Sequence, residues 1–258
     1  MKSPAVSWSF PRRAEPYRLR GQTGTAVTGG RARPPTAGDR WLTLCDLLAG
    51  ARELGFLGAG PVSGHIAQSR AFAEVVEARW AAEVARGEPT AGPPRSVVDL
   101  GSGAGVPGLI LALRWEGTSF VLVESHARRA AFLLRSVLAL DLTARVTVIA
   151  ERAEVVGRTP TKRGTADVVT ARGFARPAVV AECASPLLGV GGLLVVSEPP
   201  PDASPRGERW PAQGLEKLGM GPAESAESGY RFVVVTQEQA CPPRFPRRTG
   251  VPRKRPLF

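Results

Sequence analysis

The residues of this chain best suited to chemistry begin at Asp99-Leu100-Gly101-Ser102-Gly103-Ala104-Gly105. Three glycines in five positions allow positive φ and let a ligand approach the backbone where a Cβ would intrude. The run follows SVVDL (96–100) and opens VPGLILALRW (106–115), so a strand–turn–helix surrounds it and gives the glycines a ligand-binding meaning. The same pattern also serves an ordinary tight βα turn. Glu124 ends the next apolar run, about 20 residues on, where a carboxylate can accept hydrogen bonds from both hydroxyls of a ribose. That interval fits a dinucleotide fold as well. Two features tip the balance towards S-adenosylmethionine over NAD. The third glycine comes two residues after the second instead of three, and Asp99 beside the turn repels a phosphate while favouring the ammonium of a methionine.

After the fourth predicted strand, Thr170-Ala171-Arg172-Gly173-Phe174 holds no Asn/Asp-Pro-Pro-aromatic motif of amino-group methylation. Nor does it hold a cysteine to attack a pyrimidine ring, so a ring-nitrogen or hydroxyl acceptor is expected. Phe174 either stacks on an extruded base or starts the next helix as a core residue. No catalytic acid or base is assigned, and Arg172 and Phe174 are positioning candidates. His126 reads as a first-turn helix residue and His65 as a packing residue. Cys45, Cys183 and Cys241 lie far apart, without a C-x-x-C spacing or a histidine cluster, so neither a metal site nor a disulfide framework is expected.

Five ordered segments carry a more specific likeness: VVDLGSGAGVPGLILAL, VLVESHARRAAFLL, Glu151-Arg152-Ala153-Glu154, DVVTARGFA and the C-terminal RFPRRTGVPRKRPL. From about residue 54 to the end, the chain resembles the 16S ribosomal RNA guanine-N7 methyltransferase family, also called glucose-inhibited division protein B. The resemblance implies a class I S-adenosylmethionine-dependent methyltransferase sheet and methyl transfer to N7 of a guanine in the small ribosomal subunit. It implies that Gly101 and Val106, with Gly103 and Gly105 of the same turn, line the cofactor. Ala153 and Glu154 would meet the adenine end, and Arg172 would stand at the mouth of the fourth strand. Guanine N7 has a lone pair and no proton, so alignment matters more than a general base. This chain has Glu124-Ser125 and Arg128-Arg129 where the family usually has Asp-Ser and paired lysines. It has Ser197-Glu198-Pro199 where lysine-glycine is usual.

The elements that must position these residues alternate. Two helices are expected first: one from Trp41 to Gly55, with Leu42, Cys45, Leu48 and Ala49 on its buried stripe, and one over 63–86, burying Ile66, Phe72, Val75, Val76 and Trp80. Strands follow at 96–100, 119–125, 144–151, 165–171 and 191–198, separated by helices at 106–115, 126–142 and 175–188 and by an irregular basic loop before the fourth strand. A hairpin of a segment near 213–218 with 230–236 ends the pattern. Alternating β and α elements imply a mostly parallel sheet covered by helices. The organisation expected is a disordered basic extension (1–39), a helical cap (40–92), a methyltransferase domain (93–240) and a basic tail (241–258).

Net charge is +11, and it is concentrated at the ends: residues 1–40 hold eight Lys/Arg against two acids, and residues 241–258 hold six against none. Basic arms on a near-neutral body suit a polyanion, or else keep the chain solvated. Arg244, Arg247, Arg248, Arg253, Lys254 and Arg255 are therefore the RNA-backbone candidates. No apolar run is long enough to span a membrane and no secretory signal is visible, so a monomeric cytoplasmic protein is expected, with 16S ribosomal RNA or the small ribosomal subunit as partner. The alternatives are a methyltransferase for a small molecule or another RNA, and a non-catalytic RNA-binding module with a degenerate glycine turn. A small-molecule substrate would make the basic tails incidental.

Overall fold

Five short apolar runs become parallel strands because valines and leucines alternate between two buried faces. The strands are β1 (Ser96–Leu100), β2 (Ser119–Val123), β3 (Val146–Ile149), β4 (Ala166–Ala171) and β5 (Leu188–Ser197). Val97 lies opposite Phe120 and Val168 in the neighbouring strands. The computed structural model describes residues 35–85, 93–199 and 209–258. Two further strands, β6 (Met220–Glu227) and β7 (Arg231–Gln237), complete a seven-stranded sheet of order β3-β2-β1-β4-β5-β7-β6, with β7 antiparallel to β5 and to β6.

Helices cover both faces. Against one lie α1 (Ala37–Glu53), α2 (Val62–Ala85), α3 (Gly108–Arg114) and α4 (Ala127–Ala139), sharing a core with Val97, Phe120, Leu122, Val168 and Phe232. Against the other lie α5 (Ala153–Val156), α6 (Pro177–Ala184) and α7 (Ala212–Glu216), packed on Val98, Leu100, Val169 and Leu194. The two N-terminal helices expected as a cap thus share the core of the sheet, and Pro35–Phe258 forms one unit. Ion pairs fasten α2 at its flanks: Arg79 to Glu224 of β6 at 2.7 Å, and Glu77 to Arg114 of α3 at 2.6 Å.

Several expectations are corrected. Helix α1 starts at Ala37, before Trp41, because Thr36 and Asp39 form a capping box that satisfies the first free N–H groups. Its buried stripe is Leu44, Leu48 and Ala51, spaced four and three residues apart; Leu42 is 67% exposed, and Cys45 and Ala49 are not buried. On α2, Phe72, Val75 and Val76 are buried while Ile66 and Trp80 are half-buried. The loop after β3 contains α5 and a short 3₁₀ turn, Pro160–Lys162. Residues 212–216 are helical, burying Leu215 and, just beyond, Leu218, and the partner of β7 is Met220–Glu227. That strand lies at the sheet edge with a mostly polar sequence, so it carries no apolar alternation to read. The disorder expected for residues 1–39 falls, up to residue 34, outside the described residues, as do 86–92 of the expected cap.

The α1 correction sets a test. Leu48→Ala is expected to cost about 2–5 kcal/mol of stability. Leu42→Ala should stay within about 0.5 kcal/mol of the parent. Leu48 belongs to both stripes and Leu42 only to the expected one, so equilibrium urea denaturation of the two variants decides at Leu42, where a loss comparable to that at Leu48 would restore the sequence reading.

Candidate active site

Beyond β1 the chain passes through the glycine turn before α3. Gly101 and Ser102 both donate their backbone N–H to the Val123 carbonyl, at 2.9 and 3.1 Å, which ties the turn to the end of β2. All three glycines adopt positive φ, of 69°, 55° and 88°. Their surroundings differ. A Cβ on Gly101 would lie 2.6 Å from the Phe174 ring, and one on Gly105 would lie 2.3 Å from Leu109. At Gly103 the nearest atoms would be backbone oxygens at 3.7 Å, so this glycine is the open one over which a ligand can approach. Glu124, only 5% exposed, holds the turn: one carboxylate oxygen accepts Gly103 N at 3.0 Å and the other accepts His126 N at 2.8 Å, at the N-cap of α4.

Asp99 sits beneath the turn, not in front of it. It is buried, accepts the Thr170 hydroxyl of β4 at 2.8 Å, and its second oxygen has no partner among the described residues. That oxygen faces Gly108, where a Cβ would come within 2.8 Å of it. Burial pushes the Asp99 carboxyl up to about 6, against the lowering effects of the Thr170 hydrogen bond, the Arg172 charge and the nearby Ser102 hydroxyl, which itself donates to the Asp99 backbone carbonyl at 2.9 Å. Asp99, expected beside the ligand, is in the structure a buried carboxylate bonded to Thr170.

Arg172 leaves the end of β4 and reaches α2. Its Nε donates to Gln68 Oε1 at 2.6 Å and its Nη2 donates to His65 Nδ1. A guanidinium has no acceptor, so the imidazole proton is on Nε2, which donates to the Gly58 carbonyl at 3.0 Å. Burial and the Arg172 charge both hold His65 below its ordinary pKa, consistent with that neutral form. His65 is thus more than packing: it aims Arg172.

Two hollows open along the carboxyl ends of the parallel strands. The first, about 530 Å³, is lined by Phe56, Gln68, Gly101–Ala104, Val106, Arg172, Glu198 and Trp210 among others. The second, about 570 Å³, is lined by Val123, Glu124, Glu151–Glu154, Cys183 and Arg253 among others. Gly101, Arg129, Gly173, Phe174 and Ala175 border both, and the Phe174 ring on Gly101 stands between them. Burial raises the Cys183 thiol far above its ordinary range, so it lines the second hollow as an inert thiol. The sequence reading missed Phe56, Gln68, Arg209 and Trp210, which lie outside the motifs and far from the glycine turn in sequence; Arg129 it noted only as a family position.

The basic C-terminus is not a free tail. Phe245 and Pro252 are buried, and residues Val251–Lys254 form a short helix, α8. Glu182 of α6, fully buried, accepts the Arg247 backbone N–H at 2.8 Å and pairs with its guanidinium at 2.6 Å. Glu154 accepts Gly250 N at 3.0 Å and pairs with Arg152 at 3.3 Å. Burial would raise Glu154, but the Gly250 N–H and Arg152 outweigh it and hold the carboxyl below its ordinary value. Arg247 is therefore spent inside the fold, while Arg244, Arg248, Arg253, Lys254 and Arg255 stay exposed.

Comparison with known proteins agrees with this geometry. The profile of the family described as rRNA small subunit methyltransferase G matches residues 81–198. The chain is 32% identical over 170 residues to the ribosomal RNA small subunit methyltransferase G of Moorella thermoacetica, covering 64% of this chain and 70% of that one. It is 39% identical over 169 residues to the protein of that name from Roseiflexus castenholzii, covering 64% and 72%. A Klebsiella pneumoniae structure classed with the O-methyltransferases superposes with a TM-score of 0.51 at 13% identity, over 79% of this chain and 97% of that one. The sheet order, with the hollows at the strand ends, gives the chain the class I methyltransferase fold. Within that class, the chain belongs to the rRNA small subunit methyltransferase G family.

Two buried carboxylates give opposite predictions. Arg247→Ala strands the Glu182 charge in the interior and is expected to cost about 3–5 kcal/mol. Arg248→Ala, at an exposed position, should change stability by less than about 0.5 kcal/mol, and thermal melts compare the pair. Asp99 behaves differently because its folded pKa is raised. The folded chain holds this proton more tightly than the unfolded one, so stability falls as pH rises from about 4 to about 6, and the deficit persists above that. Asp99→Asn is therefore expected to gain up to about 3 kcal/mol at pH 7, a gain that vanishes below about pH 4. Urea denaturation across that pH range measures it; a loss of stability at pH 7 would contradict the assignment.

Proposed function

We propose that this chain transfers the methyl group of S-adenosylmethionine to N7 of a guanine in 16S ribosomal RNA, with the cofactor lying from the second hollow, at Glu124, Ala153 and Glu154, across Gly101 to Gly103 and Val106 in the first, where the guanine meets it. The observation that carries the reading is the meeting of the two hollows at Gly101 and Phe174, beside the crevice between the carboxyl ends of β1 and β4. The cofactor supplies an electrophilic methyl group on a sulfonium. Its fit rests on the open backbone at Gly103 and on the carboxylate of Glu124 facing the second hollow.

In this reading Gly101, Gly103, Gly105 and Val106 shape the bed of the cofactor. Glu124, with lone pairs left beyond its two backbone donors, accepts the ribose hydroxyls. Ala153 and Glu154 bound the adenine end. Asp99 sets a negative field beneath the turn that favours a cationic ligand, and Arg172, aimed by His65 and Gln68, fixes the wall opposite. Phe174 offers its ring to the target base. No residue need take a proton, since N7 attacks with a lone pair that carries none. The exposed Arg244, Arg248, Arg253, Lys254 and Arg255 bind RNA phosphates of the small subunit, an activity that belongs to the cytoplasm. Among the described residues no helix is long and apolar enough to cross a membrane.

Calorimetric titration of S-adenosylmethionine and mass-spectrometric mapping of 7-methylguanosine in 16S ribosomal RNA test this. The wild type is expected to bind the cofactor and to add one 7-methylguanosine to small subunits from a strain lacking the enzyme. Gly101→Ala, which pushes a methyl group into the Phe174 ring at a positive φ, should bind the cofactor about tenfold more weakly or worse. A wild type that binds no cofactor, or one that leaves 7-methylguanosine content unchanged, would sink the proposal.

A further inference from the structure

The first hollow has a wall that the reaction chemistry leaves unexplained. At the end of β5, Glu198 N donates to the Arg231 carbonyl at 2.9 Å, which keeps this residue in register with β7. Its side chain, 6% exposed, accepts the Trp210 indole N–H at 3.1 Å and pairs with Arg209. Arg209 pairs with the carboxylate by charge, its Nε 2.8 Å from one oxygen but not aligned for a hydrogen bond, and its Nη2 donates to the other at 3.5 Å. This ion pair holds the Nε/Nη2 side of the guanidinium. Nη1 has no protein partner among the described residues, and the side chain remains 26% exposed.

A bare carboxylate at the mouth of a site for a polyanion would repel it. Here the anion is covered and the cation turned outward, so the pair presents positive charge in a fixed pose. Fixing the pose reduces the rotamer entropy lost when a ligand binds. Arg172 lines the same hollow, with its Nε and Nη2 hydrogen-bonded to Gln68 and His65. A guanidinium fork also matches the O6/N7 edge of guanine. That edge must face the methyl donor, so a cation bonded to it would block transfer. Phosphate is the acceptor left for Arg209.

We propose that Arg209, held by Glu198 and Trp210, contacts a phosphate of the RNA strand next to the guanine in the first hollow and so positions the acceptor nucleotide. This inference rests on the function proposed above. Anisotropy of a labelled 16S ribosomal RNA transcript with the full chain, between 50 and 200 mM salt, measures the contact, with cofactor affinity and methylation kinetics followed in parallel. Arg209→Ala is expected to bind RNA about tenfold more weakly at low salt and to flatten the slope of log affinity against log salt by about 0.7–0.9. KM for RNA should rise while kcat and cofactor affinity hold. Arg209→Lys keeps the slope and regains part of the affinity. Glu198→Gln keeps the slope and raises KM, because the cation remains but its pose is lost. An unchanged slope in Arg209→Ala, or a fall in kcat without a change in KM, overturns the proposal. If that variant does not fold, Arg209→Gln against Arg209→Lys supplies the same comparison. A wild type that binds neither cofactor nor RNA overturns the proposed function instead.

Discussion

The connections out of β1 and β4 run to opposite faces of the sheet, α3 to one core and α6 to the other. No backbone can bridge the gap this leaves at the carboxyl ends of the two strands, so a crevice must open there. The residues proposed to hold the cofactor and the guanine are arranged around that crevice. The glycine turn forms its floor on the β1 side, Arg172 and Phe174 leave the end of β4 on the other, and the two hollows extend from it in either direction.

The walls of the crevice are fixed largely by buried carboxylates that accept backbone N–H groups. Glu124 joins the glycine turn to α4, Glu154 joins α5 to Gly250, and Glu182 joins α6 to Arg247. A charge-assisted bond of this kind is about twice as strong as a neutral one and costs heavily when one partner is removed. The last residues of the chain consequently belong to the wall of the second hollow, which Arg253 helps to line. One segment therefore faces both the proposed RNA surface and the proposed cofactor site, and the basic residues kept on its outer side are those the fold does not consume.

How far the sequence could be read varied from element to element. The five parallel strands were legible because both faces are buried, and the runs are short, apolar and bounded by turn residues. Strand β1 falls on residues 96–100 as expected. Strand β6 was not legible, since an edge strand needs few apolar residues and signals little through periodicity. The stripe of α1 was read correctly at Leu48 but mixed two helical faces at Leu42, Cys45 and Ala49, and packing against α2, α3 and α4 selected Leu44 and Leu48. In the site, the glycines and Glu124 were visible through spacing. Gln68 and the adjacent pair Arg209 and Trp210 were not, because they reach the hollow from parts of the chain distant from the glycine turn.

By itself the sequence determined the strand–turn–helix at residues 96–115, the acid at the end of the next strand, the alternation that makes a parallel sheet and the segments that mark the family. These are local or periodic properties, written in neighbouring residues. Only the tertiary structure decided what each charge does. Asp99 lies under the turn, His65 aims Arg172, Arg247 is consumed by Glu182, and Glu198 turns Arg209 outward. The physical reason is that the role of a charge depends on its burial and its partner, and both are set by residues brought together only when the sheet and its helices pack.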